Sequence, residues 1–221
     1  LAVAEVLRGG DVCAVIIEPI QGVGGIIMPS DDFIQGLSLL CGAHNVILIA
    51  DEVQSGYGRS GKFFAHQHAG IRPDIISVAK GMGNGFPIGG ILISPALKAS
   101  YGLLGTTFGG NHLACAAALA VLEVIENESL LAHATELGNY LRTELLAHAG
   151  AEEIRGRGLM VGIKYDFPIK DVRDKLLSEF HIFVGNASDP TVLRLLPPLN
   201  ITKAEVDRFL QALYSLVSVT A

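Results

Sequence analysis

The chain has 221 residues, half of them hydrophobic and 17% charged, with a formal net charge of −6, a balance that suits a globular fold and excludes a disordered one. Its 16 Lys and Arg residues are scattered rather than striped, which argues against a nucleic-acid partner. No apolar stretch reaches the roughly 18 to 20 residues a bilayer crossing needs, and the first residues lack the order of a signal peptide.

A soluble, cytoplasmic protein is therefore expected, with no membrane partner. Cys13, Cys41 and Cys115 are odd in number and far apart, so neither a disulfide framework nor a metal site is expected; they read as reduced, mostly buried thiols. The chain opens at Leu1 without an initiator methionine, in what reads as the tail of a helix. That start suggests a fragment.

Val12 to Ile17 is a nearly continuous apolar run, the pattern of a strand covered on both faces. After a Pro and Gly-rich loop, Ser30 reads as an N-cap, with Asp31 and Asp32 in the first turn and Phe33, Leu37, Leu40 and Cys41 at helical spacing. Val46 to Ala50 and Ile75 to Ala79 are further buried strands, with Asp51 and Lys80 at their carboxyl ends. Strand, helix, strand, long loop, strand indicates an α/β sheet of parallel character whose ligands gather at those ends. Ile88 to Ser94 reads as another strand, and an Ala and Leu-rich helix runs from His112 to about Glu126. The texture then changes: a helix to about Ala149, a strand over Leu159 to Lys164, and a helix over Ile169 to Phe180. Short strands at His181 to Val184 and Val192 to Leu195 precede an amphipathic helix from Thr202. Two domains are expected, 1–126 and 127–221.

Lys80 lies at a strand end and is followed by Gly81-Met82-Gly83-Asn84-Gly85. A desolvated lysine there can lose its proton and form a Schiff base with an aldehyde; a surface lysine beside a glycine turn fits the same residues. Asp51 opens Asp51-Glu52-Val53-Gln54-Ser55-Gly56-Tyr57-Gly58-Arg59-Ser60-Gly61. A carboxylate at that position can keep a pyridine nitrogen protonated, and Gln54 can reach a phenolic oxygen on the same ring. An Asp that merely caps a loop is the plainer reading. Arg194, set among Val192, Leu193, Leu195 and Leu196, needs an anionic partner, either a substrate carboxylate gripped by two parallel bonds or a structural ion pair. His66 and His68 read as solvated, and Arg155-Gly156-Arg157-Gly158 as a turn.

Glu18-Pro19-Ile20-Gln21-Gly22, the DEVQSGYGRSG stretch, the AKGMGNGFPIG stretch and the GTTFGGNHLA stretch follow one another in the order seen in class III, ornithine-type aminotransferases. The resemblance covers essentially the whole chain and is nearest to the acetylornithine group. It implies a fold type I α/β transferase, with 1–126 the C-terminal part of the large domain's mixed sheet and 127–221 the small C-terminal α/β domain. It implies pyridoxal 5'-phosphate as cofactor, Lys80 as its Schiff-base lysine and proton shuttle, Asp51 on the pyridine nitrogen and Gln54 on the ring oxygen. Thr107 matches the threonine that reaches the cofactor phosphate of the neighbouring subunit, so a homodimer with shared sites is implied. Arg194 matches the arginine that holds the substrate α-carboxylate.

The reaction so implied is ping-pong transamination of N-acetylornithine or N-succinylornithine with 2-oxoglutarate, in arginine biosynthesis. Ornithine or γ-aminobutyrate transamination, or an inactive fragment, is the alternative. Two departures stand out. Val23 occupies a position where family members commonly carry a glutamate that can pair with the carboxylate-binding arginine, so selectivity away from free ornithine is expected. The family's phosphate-binding loop and ring-stacking aromatic have no counterpart before Leu1, so this chain alone is expected to bind the cofactor weakly or not at all and to be inactive without the family's N-terminal portion.

Overall fold

The computed structural model describes residues 2–98, 100–103 and 105–217; Leu1, at the head of the expected helical tail, lies outside them. The chain divides into two compact units. The first comprises Leu1–Pro19, Pro29–Tyr57 and Phe64–Glu128, the second Ile20–Met28, Gly58–Phe63 and Ser129–Ala221. Two short early segments thus belong to the later unit.

The first unit runs α1 (Ala2–Arg8), β1 (Ala14–Ile17), α2 (Asp31–His44), β2 (Ile47–Asp51), β3 (Ile75–Val78), β4 (Gly90–Ile93) and α3 (His112–Asn127). Its sheet has the order β1-β2-β3-β4. The first three strands are parallel, and β4 joins antiparallel, with Ile75 opposite Ile93 and Val78 opposite Gly90. Asp74 locks the entry to β3: its carboxylate accepts from Leu48 N, and its own N–H donates to Leu48 O, both at 2.9 Å. Ser30 caps α2 by accepting from Phe33 N at 3.1 Å, and Asn111 caps α3 by accepting from Ala114 N at 2.9 Å. One face of the sheet packs with α2 through Leu7, Leu37, Cys41, Val46 and Leu48, joined by Val15 and Ile17. Ile16, which alternates to the opposite face, is 64% exposed, so the apolar run of β1 is covered on one side within this chain.

The second unit contains α4 (Leu130–His148), β5 (Glu153–Arg157), β6 (Met160–Lys164), α5 (Lys170–Ser178), β7 (Gly185–Asn186), β8 (Val192–Leu195) and α6 (Lys203–Val217). The sheet is antiparallel throughout, in the order β5-β6-β8-β7. Leu137, Leu141, Leu145, Val161, Ile163, Leu176, Leu193, Phe209 and Leu213 belong to one continuous core. Thr202 and Glu205 form a reciprocal capping box at the start of α6, Thr202 N donating to the Glu205 carboxylate at 2.8 Å and Glu205 N to Thr202 Oγ1 at 3.3 Å. Gly158 is a point of close backbone approach in the unit. Its φ is +54°, and a Cβ there would come within 2.5 Å of the Ser60 backbone, while one on Gly138 of α4 would come within 2.1 Å of Gly158 O.

Three expectations are corrected. The Arg155-Gly156-Arg157 stretch is not a turn but most of β5, an edge strand in which both arginines are half-buried. The short strand expected at His181 to Val184 instead occupies Gly185–Asn186, because His181 adopts a φ of 57° that breaks extended backbone. Of the three free thiols only Cys41 is buried, Cys13 and Cys115 being exposed.

Candidate functional site

Parallel pairing of β2 and β3 sets Asp51 directly opposite Ser77 at the carboxyl ends of both strands, and Lys80 follows three residues later. Glu52 N extends the ladder by donating to Ser77 O at 3.0 Å. The Asp51 carboxylate is held through one oxygen only. Oδ1 accepts from Val53 N and from Ser77 Oγ, each at 3.0 Å, and among the described residues Oδ2 has no hydrogen-bond partner. An oxygen so left can take a further N–H donor.

Lys80 opens a short 3-10 turn, Lys80–Met82, with a φ of 44°. A non-glycine residue in the left-handed region is uncommon and costs energy, and such positions gather at functional sites. Gly83 is sterically required, since a Cβ there would stand 2.3 Å from Phe86 O, and a Cβ on Gly81 would be tight at 3.2 Å from Tyr57 Cβ. Lys80 is exposed in this chain, so its environment is not the desolvated one the sequence suggested. The turn packs against α3, and Thr107 lies exposed in the loop before that helix. Gln54 is half-buried in the turn that follows Asp51. Asp51, Gln54, Lys80 and Thr107 all belong to the first unit.

Arg194 belongs to the second unit, on β8, where its Nε donates to Asn186 O at 2.5 Å. Val23 is exposed in the same unit, and its carbonyl accepts from Ser188 N at 2.9 Å. Arg59 is mostly buried there, its guanidinium donating to Pro197 O and, at 3.3 Å, to Leu159 O. Burial pushes its pKa down to about 10. Its two acceptors fix the chain on either side of the Arg194 strand's neighbour and exit: Leu159 precedes β6, and Pro197 follows β8.

Sequence reasoning passed over one buried polar cluster. The Glu52 carboxylate is 1% exposed and accepts from Ser55 Oγ at 2.6 Å, Ala65 N at 2.9 Å, His66 N at 2.8 Å and His66 Nδ1 at 2.9 Å. Burial alone would raise its pKa, but the bonds from His66, Ser55 and the His66 and Ala65 backbone outweigh that and hold it below the ordinary value. His66 is therefore not solvated; it is 6% exposed and pinned to Glu52. Among the described residues no cluster of metal-ligating side chains occurs, and no helix is long and apolar enough to cross a membrane.

Comparison with known proteins bears on this arrangement directly. The model of the family described as aminotransferase class-III matches residues 2–217. The acetylornithine aminotransferase of Mycobacterium leprae is 44% identical over 92% of this chain and 51% of its own length, and that of Bacillus subtilis 43% identical over 89% and 52%. The chain thus spans about half the length of the curated relatives it matches. Among solved structures, the ornithine aminotransferase of Plasmodium yoelii superposes with a TM-score of 0.90 at 34% identity, covering 100% of this chain and 61% of that one. The acetylornithine aminotransferase of Elizabethkingia anophelis does so with a TM-score of 0.86 at 32% identity, covering 99% and 60%. An ornithine aminotransferase of Toxoplasma gondii, with a TM-score of 0.89 at 33% identity over 99% and 55% of the two chains, is described with PLP at its active site. With a family model spanning nearly every residue and a fold shared at this level, the chain belongs to the class III aminotransferases, a family of fold type I enzymes that use pyridoxal phosphate.

Proposed function

We propose that the protein carrying this chain transfers the amino group of an N-acylated ornithine, acetyl or succinyl, to 2-oxoglutarate in arginine biosynthesis. The observation that carries the reading is the pairing of Asp51, with one carboxylate oxygen unclaimed among the described residues, and Lys80 at the ends of adjacent parallel strands. The donor set suits the cofactor: an oxygen for a ring N–H, an amine for an aldehyde, and an exposed loop hydroxyl for a phosphate.

Bound to these groups, pyridoxal phosphate would supply an electron sink that stabilises the carbanion left when a proton leaves the carbon bearing the donor's free amine, which in an N-acylated ornithine is Cδ. The chain's own residues do the rest. Lys80 Nζ is the group that would hold the cofactor covalently and, once displaced by the donor's δ-amine, carry the proton from the carbon that bears it. Asp51 Oδ2 would accept the ring N–H and keep that nitrogen charged, with Gln54 directed to the ring oxygen. Thr107 would contact the phosphate of a second subunit, which is why a homodimer is part of the proposal. Arg194 would grip a substrate α-carboxylate. The unpaired cysteines suit a reducing compartment, and the cytoplasm is the proposed location.

The test is borohydride reduction of the purified protein in the presence of pyridoxal phosphate, followed by peptide mapping and a donor panel. Label on Lys80 with turnover of an acylated ornithine supports the reading; label elsewhere, or preference for γ-aminobutyrate, overturns it. Free ornithine is the competing donor, because ornithine aminotransferases are among the structures this chain resembles. Val23→Glu should move the ratio of kcat/KM values toward ornithine, and an unchanged ratio would separate Val23 from selectivity.

A further inference from the structure

Ser77 is the polar residue of a strand that otherwise reads Ile75, Ile76 and Val78. It stands in register with Asp51, and its hydroxyl donates to Asp51 Oδ1 at 3.0 Å, the oxygen that Val53 N also reaches at 3.0 Å. The Val53 bond closes a local turn and ties the carboxylate only to its own loop. The Ser77 bond differs in kind, since it crosses to the strand that delivers Lys80. Two donors converging on Oδ1 fix the rotation of the carboxylate and present Oδ2 at the strand ends.

We propose that Ser77 is a positioning residue for the reaction: it orients the Asp51 carboxylate so that Oδ2 meets the cofactor's ring nitrogen, and it couples that carboxylate to the strand bearing Lys80. This rests on the proposed pairing of Asp51 with the ring. Loss of the hydroxyl frees the carboxylate to turn about its Cβ–Cγ bond, so the ring nitrogen is met by a less well-aimed acceptor. A threonine keeps the hydroxyl and suits a strand.

The experiment uses the intact protein carrying this sequence, stripped of cofactor and titrated with pyridoxal phosphate. The readouts are the dissociation constant and the pH dependence of the bound cofactor's absorbance. Ser77→Ala should weaken binding roughly three- to tenfold, the scale of one net hydrogen bond, and displace the absorbance titration along the pH axis. Ser77→Thr should restore both. In an Asp51→Asn background Ser77→Ala should add nothing, because the oxygen it orients has lost its charge. Wild-type affinity and an unmoved titration in Ser77→Ala, or an undiminished effect in the Asp51→Asn background, would overturn the role of Ser77 and leave the proposed function standing. Failure of the wild type to become labelled at Lys80 on borohydride reduction would overturn both.

Discussion

The two units each hold a four-stranded sheet, yet they differ sharply in how well that sheet is covered. In the second unit α4, α5 and α6 enclose a single core from Ala134 to Val217. In the first, the cluster around Leu37 and Leu48 is small, all four residues of β4 are exposed, and α3 turns Leu113, Leu119 and Val124 to solvent. With strand number equal, burial of apolar surface should favour the second unit. The groups proposed for cofactor chemistry, Asp51 and Lys80, stand on the less covered unit.

That contrast can be broken by mutation. Leu213→Ala, which empties a fully buried position in the second unit, should cost about 3 kcal/mol in denaturant unfolding. Glu52→Gln should cost about 2 kcal/mol, because one acceptor oxygen becomes a donor facing donors, and would mark the best-ordered polar point of the first unit. Its pH signature has a definite sign. Glu52 is held below the ordinary 4.5, so its contribution is full above that value and is lost as pH falls through its folded-state pKa. The wild type should weaken on acidification where Glu52→Gln stays flatter. Ser30→Ala, removing the α2 cap, should cost about 1 kcal/mol. Leu92→Ala on β4 should cost about 0.5 kcal/mol; a cost equal to that of Leu213→Ala would show that the face is covered in the purified protein, and the contrast would fail.

Local chemistry was legible in the sequence and distant pairing was not. Ser30 and Thr202 announced their helices because a cap is decided within three residues. The apolar runs of β1, β2 and β3 announced parallel strands, though not that β1 would be covered on one side only, and the rule that ligands gather at carboxyl ends singled out Asp51 and Lys80. By contrast β5 carries Glu153, Arg155 and Arg157 with a glycine between, a pattern that only pairing with β6 turns into a strand. Ser77 meets Asp51 across 26 residues, and Glu52 meets His66 across 14; no spacing rule links them. The same limit hid the Lys80 backbone, since a φ of 44° is a property of the turn rather than of lysine.

The DEVQSGYGRSG stretch changes unit in its middle, Tyr57 in the first and Gly58 in the second. Arg59 then reaches carbonyls 100 and 138 residues further along. During synthesis, residues 20–28 and 58–63 must therefore wait, unplaced, until residues beyond Ser129 have emerged. Contacts of such long sequence separation are slow to form, so the second unit, the better packed of the two, should be the last to be completed at the ribosome, and its early segments the ones most in need of shielding meanwhile.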